Sequence, residues 1–313
     1  MFSYRHAFHA GNHADVLKHL TLIATLKHLM HKDAGIQFVD THAGAGLYRL
    51  DGDYAQKGAE AQDGLFKLLQ AVSERPDSAA LPEALQDYLE QVAHFNPDGE
   101  ARIYPGSPVL MARLLRHEAR DRLKLFEMHP TDSQALAGNM AQFELGRAVQ
   151  TLREDGFESL KKLLPPPASA SGSKRAMVLM DPSYEIKSDY LKVSAAIADS
   201  LKRFPTGTYL VWYPVIGRPE AHDLPKRLRT LTQQAGKSWL HATLTVKSGK
   251  ASTLPVSLQG DTKLPRPGLP ASGIFLINPP FTLAKTLRPA LEQLVQLLGQ
   301  DRHAACLVES GGH

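Results

Sequence analysis

The 313-residue chain has a single cysteine, Cys306, which excludes an internal disulfide framework and a zinc site built from paired cysteines. It has no apolar run near the roughly 20 residues needed to cross a bilayer. Its start, Met1-Phe2-Ser3-Tyr4-Arg5-His6, lacks the apolar core of a signal peptide. A cytoplasmic protein is the expectation. Neither sign of charge dominates: the formal net charge is +4 and the sequence pI about 9.0, which alone argues weakly for a polyanionic partner. What is present, 43% hydrophobic and 22% charged residues, suits one large globular domain with an insertion or two modest ones.

From Gly35 onward, short apolar runs alternate with helical patterns, the signature of a mostly parallel sheet covered by helices. Seven strands are expected: Ile36–Asp40, Leu123–Glu127, Ala148–Leu152, Met177–Asp181, Thr208–Tyr213, Trp239–Val246 and Gly273–Asn278. Several end in a polar residue, placed at the carboxyl edge where open α/β sheets bind ligands. A helix precedes them. Asn12 with Asp15 resembles a capping box, Leu17, Leu20 and Ala24 share a face, and Gly35 is a stop signal. Leu81, Leu85, Tyr88, Leu89 and Val92 recur at helical spacing. The chain is therefore divided into residues 1–50, a small helical insertion at 51–103, and residues 104–313, which complete the main domain. The run from Pro165 to Ser173 reads as a surface loop.

Four constellations carry chemistry. In Asp40-Thr41-His42-Ala43-Gly44-Ala45-Gly46 the glycines let the backbone turn sharply beside a ligand, and the acid suits a cofactor with hydroxyls or positive charge. The dinucleotide pattern G-x-G-x-x-G is absent, and a tight turn without a ligand is the alternative. Glu127 ends the second strand, where a carboxylate accepts both hydroxyls of a ribose. Asp155-Gly156 follows the third, where an acid can accept from an adenine amino group. The sharpest is Asp181-Pro182-Ser183-Tyr184. Adenine N6 is a poor nucleophile because its lone pair is delocalised into the ring. Accepting its two hydrogens on Asp181 and the Pro182 carbonyl favours a pyramidal nitrogen. Tyr184 would stack on a flipped base. A strand followed by an Asp-Pro turn with a core tyrosine is the other reading.

Together with Ser3-Tyr4-Arg5-His6, the run from His9 to His19, Tyr104-Pro105-Gly106-Ser107-Pro108, Trp212-Tyr213-Pro214 and Asn278-Pro279-Pro280, these motifs resemble the bacterial 23S ribosomal RNA adenine-N6 methyltransferase family of the RlmJ type over nearly the full length. The resemblance implies a Rossmann-like class I S-adenosylmethionine-dependent methyltransferase fold. It implies cofactor contacts at His19, His42, Ser107, Glu127, Asp155 and Gly156, beside Asp40 and Gly44 of the glycine turn. Asp181 would accept the proton, and the segment with Tyr4, His6 and Lys18 would close over the adenine and its RNA. The substrate would be free or nascent 23S rRNA, bound by a monomer, without membrane or metal. Ser183 departs from the usual second proline.

Other readings remain. His6, His9, His13 and His19 invite a metal site, but the HExxH form and nearby cysteines are missing. A DNA adenine-N6 methyltransferase would share the chemistry. The basic clusters (Lys161, Lys162, Lys174, Arg175; Arg218, Lys226, Arg227, Arg229; Lys247, Lys250, Lys263, Arg266) would also suit an RNA-binding ribosome assembly factor with a weak methyl site, if they are more than solvated surface. Asn278-Pro279-Pro280 could pass for a second catalytic motif, though Trp212 and Tyr213 read as sheet packing with Pro214 ending the strand.

Overall fold

The structure, a computed structural model, describes residues 8–51, 60–76, 80–168, 172–249 and 268–312. Tyr4 and His6 lie outside them, as do Lys250, Lys263 and Arg266.

Among the described residues ten strands form: β1 Gln37–Asp40, β2 Leu47–Arg49, β3 Ile103–Pro105, β4 Arg122–Phe126, β5 Val149–Leu152, β6 Ala176–Met180, β7 Thr208–Val215, β8 Trp239–Thr245, β9 Ala271–Ile277 and β10 Ala305–Gly311. Eight of them make one sheet in the order β10-β8-β9-β7-β6-β1-β4-β5. Strands β7, β6, β1, β4 and β5 run parallel, while β9 is antiparallel to both β7 and β8, and β10 to β8. The expected seven strands are all present, and β10 is the correction. Its apolar run, Ala305-Cys306-Leu307-Val308, is short, and only Val308 of the strand is buried. Strand β7 also continues through Pro214 to Val215, because β6 has already stopped at Met180, opposite Val211, and the missing proline N–H costs no ladder bond on that side.

The helices are α1 His13–Leu29, α2 Lys67–Ser73, α3 Glu83–His94, α4 Ser107–Leu114, α5 Pro130–Ala141, α6 Gly156–Leu163, α7 Ser188–Arg203, α8 Pro219–Gln234 and α9 Leu283–Leu298. The Asn12 side chain accepts from Asp15 N–H at 2.8 Å, and Asp15 in turn accepts from Gly11 N–H at 3.0 Å. These bonds satisfy backbone donors at the start of α1. The helix is buried from His13 to Leu26 rather than along one face. It stops at Leu29, short of Gly35, where Arg116 donates to the Met30 carbonyl and Arg175 to that of Leu29. Those two arginines end the helix from distant parts of the chain.

The described residues between β2 and β3 fold back onto the main body. Leu65, Leu68, Leu85, Tyr88 and Val92 join Leu17, Leu20 and Leu26 of α1 in one hydrophobic core on this face of the sheet. A second core on the other face holds Tyr184, Tyr190, Val193 and Ile197 under α7. No helix among the described residues is long and apolar enough to cross a membrane.

Candidate active site

A cavity of about 440 Å³ opens at the carboxyl edge of the parallel strands. Its wall carries Lys18, His19, His42, Gly44, Ser107, Glu127, Asp155, Gly156, Asp181 and Pro182, which the fold gathers from six separate segments. Asp40 and Tyr184 were expected there and are not on the wall.

Asp40 lies beneath it. Its side chain is fully buried, accepting from the Ser107 hydroxyl at 2.6 Å and from His42 N–H at 3.1 Å. Burial pushes its carboxyl up to about 6, against the pull of those two donors. It supports Ser107 and the glycine turn from beneath the wall. In that turn Gly44 has φ +62°, and a Cβ there would come within 2.2 Å of the Tyr48 hydroxyl. The freed backbone N–H donates to Glu127 at 2.8 Å.

Glu127 is held by two backbone donors, Gly44 and His129, the second at 2.7 Å. Burial raises its carboxyl above the ordinary value although both donors oppose the shift. Each oxygen accepts one bond and keeps a further acceptor site. Asp155 caps α6, accepting from Phe157 N–H at 2.9 Å and Glu158 N–H at 3.2 Å. Gly156 is required behind it, since a Cβ would lie 2.2 Å from the Thr41 carbonyl oxygen. Burial pushes the His42 imidazole down to about 4, so the ring is neutral near pH 7; it rests edge-on against Phe157 at 4.7 Å.

Asp181 follows β6 and meets α1. Its Oδ2 is 2.5 Å from Lys18 Nζ, which also lies 2.9 Å from Asp15. Burial alone would discharge the ammonium, but Asp15 and Asp181 outweigh it and hold the Lys18 pKa well above its usual value. Lys18 was expected to close over RNA. Its Nζ is instead buried against the Asp181 carboxylate.

Tyr184 is a second correction. Its backbone takes φ +53°, a strained value for a side-chain-bearing residue, and its ring turns inward to lie 4.6 Å from Tyr190 and 6.0 Å from Trp212. The hydroxyl donates to the Trp212 carbonyl at 2.7 Å, and Arg218 donates to the Tyr184 carbonyl at 3.0 Å. The ring packs tilted against both neighbours in the core, off the cavity wall.

The histidines disperse. His9 pairs with Glu60 at 3.0 Å, His13 meets the Leu269 carbonyl at 2.7 Å, and His19 meets the Tyr104 hydroxyl at 2.8 Å. Among the described residues no group of three or more His, Cys, Asp or Glu is arranged to hold a metal. Sequence reasoning missed the apolar wall of Met128, Phe157 and Ile186, together with Lys192. Met128 and Phe157 directly follow Glu127 and Gly156, so their places beside the strand ends were the available signal. Met128 and Ile186 are 45% and 55% exposed and form the rim.

A sheet in this order, with a glycine turn after its first strand and acids after the next three, is the fold of a class I methyltransferase. Residues 33–308 match the family described as ribosomal RNA large subunit methyltransferase D, RlmJ, and the chain belongs to that family. It is 39% identical to the Escherichia coli K12 ribosomal RNA large subunit methyltransferase J over 94% of this chain and 93% of that one. To the Haemophilus influenzae protein of the same name it is 37% identical, over 99% and 98%. The crystal structure of protein LPL1258 from Legionella pneumophila superposes with a TM-score of 0.77 at 30% identity, covering 97% of this chain and 98% of that one.

Proposed function

We propose that this methyltransferase transfers a methyl group from S-adenosylmethionine to N6 of a specific adenine in 23S rRNA, acting as a monomer on free or nascent RNA. The observation that carries the reading is the Asp181 carboxylate, set beside the Pro182 backbone on a cavity wall that also bears Glu127 and Asp155.

The residues fit the cofactor. Glu127 has acceptor sites for ribose hydroxyls, Met128 and Phe157 supply apolar contact for a purine, and the required glycines at 44 and 156 keep the backbone close to whatever fills the cavity. His19, His42, Ser107, Asp155 and Gly156 complete the set, with Asp40 acting through Ser107. When bound, S-adenosylmethionine supplies a methyl carbon made electrophilic by its sulfonium, and the S–C electron pair leaves with sulfur.

Asp181 and the Pro182 carbonyl accept the two N6 hydrogens, which directs the nitrogen lone pair toward the methyl carbon. As the new N–C bond forms, the amino group sheds one proton, and Asp181 is placed to receive it. Lys18 fixes the orientation of that carboxylate. Tyr4 and His6 are assigned to the target adenosine and its RNA.

Two measurements test the reading. Mass mapping of methylated adenines in rRNA should show one 23S adenine modified only in cells that contain the protein. Asp181→Ala should abolish transfer while cofactor and RNA affinity remain. Labelling of duplex DNA alone would replace the RNA substrate with DNA. Absence of transfer by the wild-type protein would favour a binding factor.

A further inference from the structure

Asn278-Pro279-Pro280-Phe281 resembles a catalytic turn, yet β9 runs antiparallel to β7, so the motif emerges at the amino edge, opposite the cavity. The turn is fixed. Asn278 adopts φ +51°, and its side-chain amide donates to the Pro205 and Gly207 carbonyls at 3.0 and 2.7 Å. Its N–H donates to Ser238 at 2.9 Å. Two prolines then carry the chain to Phe281, whose residue surface is 88% exposed. A lone surface phenylalanine is unremarkable. A strained, pinned turn that presents one calls for a use.

The surroundings suggest which use. His28 packs edge-on to Phe281 at 5.2 Å and meets the Thr282 hydroxyl at 3.0 Å, with His31 5.5 Å further along. His28 is held below its ordinary pKa first by burial and then by the nearby His31 and Lys32. His31, Lys32 and Lys285 are exposed, and among the described residues none of them is in an ion pair. Of the nearby acids, Asp87 pairs with Lys27 at 2.6 Å, Asp33 follows Lys32, and Glu83 and Glu292 lie along the groove beyond Lys285, on the side away from the Phe281 turn.

An exposed aromatic face rimmed by cations is a stacking platform for an unpaired base with its phosphates. We propose that Phe281, with His28, His31, Lys32 and Lys285, forms a second contact for the substrate RNA, holding a nucleotide outside the target. The proposal rests on the rRNA reading above. Ten residues of α1 separate Lys18 from His28, about 15 Å of helix, so one folded RNA can touch both sites.

The test uses the whole enzyme on two RNAs: a 23S transcript and a short hairpin around the mapped adenine. Phe281→Ala should raise KM and Kd for the transcript by about 5- to 30-fold, leave kcat unchanged, and leave the hairpin unaffected. Phe281→Trp, which keeps an aromatic face, should stay within about 2-fold. Lys285→Glu should lower the slope of log affinity against log salt by about one.

Unchanged transcript binding in Phe281→Ala overturns the platform. Equal losses on both RNAs do so too, as they indicate a structural role. A change in self-association without a change in RNA binding reassigns the face to protein contact. Failure of the wild-type protein to bind or methylate either RNA overturns the rRNA function itself, which is a separate reading of the same assay.

Discussion

Lys18 Nζ lies 2.5 Å from Oδ2 of Asp181, joining the first helix to the fourth strand of the parallel run across 163 residues of sequence. The contact gives the carboxylate proposed above for catalysis a fixed neighbour on the protein side. Replacing Lys18 by Met would leave the buried Asp15 without its counter-ion and Asp181, on the cavity wall, without its ammonium neighbour. Removing one partner of a buried pair costs about 3–5 kcal/mol. Urea unfolding should register a loss of that order, and methyl transfer should fall at least about 100-fold beyond it. A variant as active as the wild type would show that the pair is structural alone.

Asp40 predicts a pH dependence of stability. Its carboxyl rises from 3.8 to about 6 on burial, so the folded state holds the proton more tightly than the unfolded one. Its stabilising contribution is complete below pH 3.8 and is lost as pH rises through about 6. Two units correspond to about 3 kcal/mol. Chemical denaturation of the wild type and of Asp40→Asn, compared from pH 4 to 7, should show the wild type losing ground by up to that amount. A difference that stays flat with pH would refute the assignment.

Gly156→Ala should damage the cavity more than its size suggests. The new Cβ would meet the Thr41 oxygen at 2.2 Å, forcing α6 and the end of β1 apart. Overpacking of this kind costs about 1–3 kcal/mol. Calorimetry with S-adenosylhomocysteine should record an affinity at least about tenfold weaker, because Asp155 and Gly156 line the cavity at the shifted junction. Native-like affinity would place the cofactor elsewhere.

Asn278→Ala separates the two proline turns. The variant loses two hydrogen bonds and puts alanine at φ +51°, a cost of about 2–4 kcal/mol. The melting temperature should drop while kcat of the folded enzyme stays within about 2-fold. A collapse of kcat matching that of Asp181→Ala would restore the motif to the chemistry.

Much of this was legible in the chain. Apolar runs ending in Asp40, Glu127 and Asp181 showed where the strands stop, since each pattern is local and sets its own element. What escaped was long-range. Nothing near Lys18 says that its amine will reach Asp181, and nothing near Leu29 says that Arg116 and Arg175 will end its helix. The inward turn of Tyr184 depends on an acceptor at Trp212, on the neighbouring strand. Strand β10 did carry a signal, the short apolar run Ala305-Cys306-Leu307-Val308, but nothing local says that it pairs at the edge beside β8. The direction of β9 was equally silent, and so Asn278-Pro279-Pro280 could be mistaken for a ligand-binding edge.

Helix α1 is buried nearly all round, and several of its partners are made last. His13 meets Leu269, and His28 meets Thr282, over 256 and 254 residues. Chains emerge from the ribosome N-terminus first. Lys18 can meet Asp15 within the helix and Asp181 once β6 has been made, but the helix must wait for its contacts at Leu269 and Thr282 until β9 and α9 are synthesised. Such distant closure makes for slow folding and for aggregation-prone intermediates. The enzyme's own biogenesis, more than its final stability, is where this helix is most exposed to chaperones and proteases.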